Sequence, residues 1–210
     1  TLLERCTSAT GPSERSVELA ANGPHAVHGA MNSTKSEPDA ATGILLTPLA
    51  RTITDDAMTY SAVRVDLDRA ARRASIMLLG PTDPPPADSH AIHAQGADFY
   101  PLRLARELDD AILHLRCNEP ALGTWVFQSQ GDAKLALAYD ALLDAHADHW
   151  LVREISHHFK RVLKRIDVTA RSLVALIEPG SCFAGTLAEI AVVCDRAYML
   201  AGALPGDKRP

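Results

Sequence analysis

The segment Ile177-Glu178-Pro179-Gly180-Ser181-Cys182-Phe183-Ala184-Gly185-Thr186 holds the residues best suited to chemistry. An apolar run, Ser172 to Ile177, halts at Glu178-Pro179-Gly180, passes through small residues and gives way at Thr186 to a helical pattern. The first N–H groups of a helix have no intrahelical partner, so the amides of Gly185 and Thr186 can stabilise negative charge growing on a carbonyl oxygen. Glu189 stands one turn further on in an otherwise apolar helix, and a carboxylate there can move a proton to or from a group held at those amides. The same residues have a plainer reading, in which glycine and alanine permit close helix–sheet packing and Glu189 faces solvent or a subunit contact. Cys182 lies near enough to the helix start for a lowered thiol pKa, although a small buried thiol is the commoner fate of such a residue.

Other polar groups point less clearly to a reaction. His90 with His93, and the set His146, His149, His157 and His158, complete no His-Glu-x-x-His or Cys-x-x-Cys element, so no metal site is expected and a solvated surface is the favoured reading. Cys6, Cys117, Cys182 and Cys194 are spread without pairing, as befits reduced thiols, and the cytoplasm is the expected location. With 21 Lys and Arg against 26 Asp and Glu, the formal charge of -5 offers no broad positive field for a nucleic acid or an anionic bilayer. No apolar run approaches the ~18 to 20 residues that cross a membrane. Thr1-Leu2-Leu3-Glu4-Arg5 has neither an initiator Met nor a signal pattern, so the chain reads as a fragment from the interior of a longer one.

Residues 1–59, rich in Gly, Pro, Ser and Thr, predict a mostly irregular arm or linker with one short helix near Glu14 to Ala21. From Tyr60 the pattern alternates, and Tyr60 to Leu67 with Ala74 to Leu79 predicts a hairpin around Asp68-Arg69-Ala70-Ala71-Arg72. The proline run Pro84-Pro85-Pro86 predicts an extended loop ending near Gly96. Pro101 opens a helix with Leu102, Ala105, Leu108, Ile112 and Leu115 on one face. Gly123 to Phe127 reads as a buried strand, and Asp132 caps a helix carrying Leu135, Leu137, Tyr139, Leu142 and Leu143. A helix over Trp150 to Ile166, a strand over Ser172 to Ile177, a helix over Thr186 to Cys194 and a strand over Arg196 to Leu200 follow. This order predicts an α/β domain over residues 60–200, with right-handed crossovers and a largely parallel sheet, followed by a tail over 201–210.

The pattern Ala188-Glu189-Ile190-Ala191-x-x-Cys194-Asp195 behind a small-residue turn resembles the enoyl-CoA hydratase (crotonase) superfamily. Phe99-Tyr100-Pro101-Leu102, Gly123-Thr124-Trp125, Gly131-Asp132-Ala133, Asp148-His149-Trp150-Leu151-Val152-Arg153-Glu154 and Ser172 through Thr186 are similar to one branch of it, the ring-cleaving lyases of benzoyl-CoA derivatives. That resemblance runs from about Tyr60 to Leu200. It implies a crotonase-like (ClpP/crotonase) β-β-α superhelical fold, incomplete at the C-terminus, and a carbon–carbon lyase that opens an oxygenated benzoyl-CoA ring with water and releases formate. It also implies a parent chain with two crotonase-like units, of which the N-terminal one is missing here, likeness to the linker and first part of the second unit, and a homo-oligomer. The substrate is then an acyl-CoA, with no separate cofactor. Glu189 matches the superfamily's helix glutamate, and the backbone of Thr186 or Gly185 matches one oxyanion donor. The other donor falls in Gln128-Ser129-Gln130-Gly131, where Gln128 and Gln130 replace the usual small residues. The run Lys160-Arg161-Val162-Leu163-Lys164-Arg165 can reach coenzyme A phosphates, serve as the wet face of its helix or make a domain–domain contact. Alternatives are a non-catalytic unit for packing and dimerisation, and an ordinary enoyl-CoA hydratase or isomerase. The isolated chain is expected to be inactive.

Overall fold

The computed structural model describes residues 43–200. The expected helix near Glu14, Cys6 and the 201–210 tail lie outside the described residues. One seven-stranded sheet runs in sequence order. It comprises β1 (Thr52–Ile53), β2 (Ala57–Thr59), β3 (Val63–Asp68), β4 (Arg73–Leu79), β5 (Thr124–Gln130), β6 (Ser172–Ile177) and β7 (Arg196–Met199). The helices are α1 (Ser89–Gln95), α2 (Tyr100–Asn118), α3 (Ala133–Ala145), α4 (Trp150–Asp167) and α5 (Thr186–Val193).

The hairpin is as read: β3 and β4 pair antiparallel with Val65 opposite Ile76, and Val63, Val65, Leu67, Ala74, Ile76 and Leu78 all point into the core. The five apolar positions read on α2 are all buried, and α2 packs against β3 and against the apolar stripe Leu151, Ile155, Phe159, Val162 and Ile166 of α4. Asp132 caps α3 as expected, its Oδ1 accepting from the Lys134 N–H at 2.8 Å.

Three readings need correction. The sheet is half antiparallel, from β1 to β4, and parallel only from β4 to β7, because the short links before β4 permit hairpins but no helical crossover. Inside the stretch read as an irregular arm, β1 and β2 already extend the sheet ahead of Tyr60. The loop after the prolines contains α1, whose start is fixed by Asp88 Oδ1 accepting from the Ala91 N–H and whose end falls at Gly96 with φ 53°.

Two carboxylates of α2 anchor the β1–β3 region. Glu107, 3% exposed, accepts from the Ala62 N–H at 2.6 Å, the Ser61 Oγ–H at 2.6 Å and the Ser61 N–H at 3.3 Å. Asp110 accepts from the Tyr60 hydroxyl at 2.7 Å and pairs with Arg51, and burial together with that bond raises the Tyr60 pKa. Further along the sheet, Asp195 Oδ2 accepts from the Leu173 N–H at 2.8 Å and so ties the end of α5 to the start of β6. No helix among the described residues is long and apolar enough to cross a membrane.

Candidate functional site

The carboxyl ends of the parallel strands β4, β5 and β6 meet at a junction of small residues. Gly80 N–H donates to Gln130 O at 2.8 Å, Gly131 N–H to Gly180 O at 3.0 Å, and Cys182 N–H to Ser129 Oγ at 3.0 Å. Cys182 is fully buried between the two loops: a Cβ on Gly80 would lie 2.9 Å from its Sγ, and one on Gly131 would lie 3.3 Å from it. The expectation of a lowered thiol pKa fails here, since burial pushes the Cys182 thiol up. Cys194 is pushed up to about 12, first by burial and then by the neighbouring Asp195, and its S–H donates to Ile190 O at 3.2 Å.

Both thiols keep their protons in the folded chain to a higher pH than in the unfolded one. Their contribution to stability is therefore intact below the ordinary thiol value of about 8.5 and is lost as pH rises from there toward the folded values. Alkylation at pH 7.5, followed by peptide mass mapping, is expected to label the exposed Cys117 promptly, while Cys182 and Cys194 react only after denaturation. Prompt labelling of Cys182 in folded protein would contradict its packed position.

The turn into α5 is closed by a residue the sequence reading did not single out. Gly185, at φ 54° and ψ -128°, adopts a conformation open essentially to glycine. A Cβ there would overlap the Asp140 carboxylate, which reaches across from α3. Asp140 Oδ2 accepts from the Thr186 N–H at 2.7 Å and Oδ1 from the Thr186 Oγ–H at 2.6 Å. The amide expected to meet a substrate oxygen is thus held by the protein's own anion, at the end of the helix dipole that favours one. The signal available in the sequence was spacing: Asp140 follows the buried Ala136 by four residues and so shares the inward face of α3.

The second expected donor loop is committed too, with the Gly131 N–H on Gly180 O and the Gln128 side chain donating to Glu178 Oε2 at 2.9 Å. The Gly185 N–H makes no hydrogen bond among the described residues. Gly185, Thr186 and Glu189 do come together, on the wall of one cavity of about 740 Å³ between α2, α3, α4 and α5. Its lining is largely apolar, with Leu104, Leu143, Ile155, Phe159, Leu163 and Leu187, and its volume suits a small organic ligand. Glu189 stands exposed on this wall and has no hydrogen-bond or ion-pair partner among the described residues.

The histidines of the described residues do not converge on this site. His93 and His149 flank Trp150 with ring centroids at 6.1 and 6.0 Å, and the half-buried His158, its pKa lowered by burial, sits beside a smaller cavity. Among the described residues no group of three or more His, Cys, Asp or Glu is placed to hold a metal. Of the basic run, Lys160 borders the large cavity, Arg165 pairs with Asp109 at 2.7 Å and Lys164 with Asp167 at 2.9 Å, while Val162 and Ile166 are buried.

No family model matches the chain. Among solved structures it is similar to enoyl-CoA hydratases: that of Geobacillus kaustophilus (14% identity, 68% of this chain and 47% of that one, TM-score 0.43) and that of Bacillus anthracis (13%, 66% and 47%, TM-score 0.40). In sequence it is 46% identical over 171 residues to benzoyl-CoA-dihydrodiol lyase of Aromatoleum evansii, a match covering 81% of this chain and 31% of the lyase. The chain is therefore a relative of that lyase, as its motifs indicated, and spans about a third of its length.

Proposed function

We propose that the chain supplies a crotonase-like unit to a carbon–carbon lyase that opens the ring of an oxygenated benzoyl-CoA with water and releases formate. The substrate brings its own coenzyme A thioester. The unit works beside an N-terminal crotonase-like unit of the parent protein, in a cytoplasmic homo-oligomer. The sequence relationship supports the reaction class. Within such an enzyme this unit serves packing and assembly, and the chemistry falls to its neighbour.

One observation carries the structural role: the Thr186 amide is already occupied by the Asp140 carboxylate, so a thioester oxygen would have to displace an ionised group held by two hydrogen bonds. Glu189 is exposed and, among the described residues, is held by no hydrogen bond or ion pair that would fix it toward a substrate. The test is Glu189→Gln in the full-length two-unit protein, which keeps the volume and removes the base. Turnover is expected to stay within about threefold of the parent. A fall of about a hundredfold, with assembly and thermal midpoint unchanged, would overturn the reading, because general acid–base groups contribute on that scale.

A further inference from the structure

We infer that the large cavity is a binding site for uncharged, apolar molecules that carry a hydrogen-bond donor, and that Asp140 sets this preference against carbonyl acceptors. The inference rests on the reading that this unit does no thioester chemistry. The cavity's volume of about 740 Å³ and its apolar wall can enclose a small ring or chain. What distinguishes it is the Asp140 carboxylate on its wall. A carboxylate offers about four lone-pair positions, and the two hydrogen bonds from Thr186 use two of them, so Asp140 can still accept from a ligand.

Donors on the same wall are mostly committed. The Thr186 hydroxyl donates to Asp140, the Tyr100 hydroxyl to Leu79 O at 2.9 Å and the Ser156 hydroxyl to Val152 O at 2.9 Å. Among the described residues the Gly185 N–H, the Tyr139 hydroxyl and the exposed ammonium of Lys160 are what remain. A ketone or thioester oxygen brought against Asp140 would face acceptor to acceptor and gain nothing from the carboxylate for the water it loses. An alcohol in the same place gains a charge-assisted hydrogen bond. The acidic side chains of Asp140, Asp144 and Glu189 around the cavity disfavour anionic ligands as well.

The test compares 1-phenylethanol with acetophenone, two uncharged molecules of nearly the same shape that differ in donor and acceptor, by ligand-observed NMR titration of the chain. The alcohol is expected to bind at least tenfold more tightly. Asp140→Ala should abolish the preference. Asp140→Asn, which keeps an acceptor for the Thr186 amide and is the gentler change for folding, should shift it toward the ketone because its amide also donates. Equal binding of the two, preference for the ketone, no binding of either, or a preference that survives both substitutions would each overturn the inference. None of these results bears on turnover of the full-length protein, which tests the structural role separately.

Discussion

Gly185→Ala is expected to cost about 3 to 5 kcal/mol of folding stability, as the sum of backbone strain of about 1 to 3 kcal/mol and the loss of charge-assisted hydrogen bonds worth about 1.5 to 3 kcal/mol each, partly offset by relaxation. The backbone angles of Gly185 are unfavourable for any residue with a Cβ, and that Cβ would take the space of the Asp140 carboxylate. Asp140 must then abandon both bonds to Thr186. Urea denaturation checks the size, and a double-mutant cycle checks the cause. In an Asp140→Ala background the carboxylate is already gone, so Gly185→Ala should cost only its backbone strain. Costs that add in the double variant would sink the steric account.

Glu107→Ala comes next in expected effect, a loss of about 2 to 3 kcal/mol, since the buried Ala62 donor left unmatched costs about 1 to 3 kcal/mol while the donors of the exposed Ser61 can turn to water. The Ala62 and Ser61 amides both lose their acceptor, and the Ser61 hydroxyl loses a 2.6 Å partner in the same step. Glu107→Gln, which retains one acceptor oxygen, should cost about half as much. The β2–β3 connection is the element at stake, so hydrogen exchange should rise first at Ala62 and Val63. If exchange there is unchanged while stability falls, the damage lies elsewhere on α2.

The elements that could be read in the sequence were those whose cause is local. The stripe of α2 repeats at helical spacing, Asp132 sits directly before α3, and β3 and β4 alternate around a charged turn, so each carries its evidence within a dozen residues. Asp88 gave the same kind of signal for α1, but the preceding prolines masked it. The turn at Gly185 and Thr186 and the helix bearing Glu189 were legible for the same reason, and the cavity does gather all three. What the turn does there was not legible, because it depends on a residue 46 positions away on α3. Glu107 and Ser61 are likewise 46 apart, and nothing near either residue marks the other. The fate of Cys182 turned on two glycines on other loops, whose proximity exists only once β4, β5 and β6 are side by side.

That last arrangement constrains how the chain can vary. A Cβ on Gly131 would come within 3.0 Å of the Gly80 Cα, and a Cβ on either glycine would press on the Cys182 Sγ. Three loops that enter the junction from three strands thus share one small volume: enlargement at Gly80 must be met by shrinkage at 182, and Gly131, held at φ 154° against the Gly80 backbone, admits none. Residues 80 and 182 should therefore drift together among relatives, with glycine kept at 131. A library randomised at all three should recover folded members that keep glycine at 131, where φ is 154°, and that carry serine or alanine at 182 wherever Gly80 has acquired a methyl group.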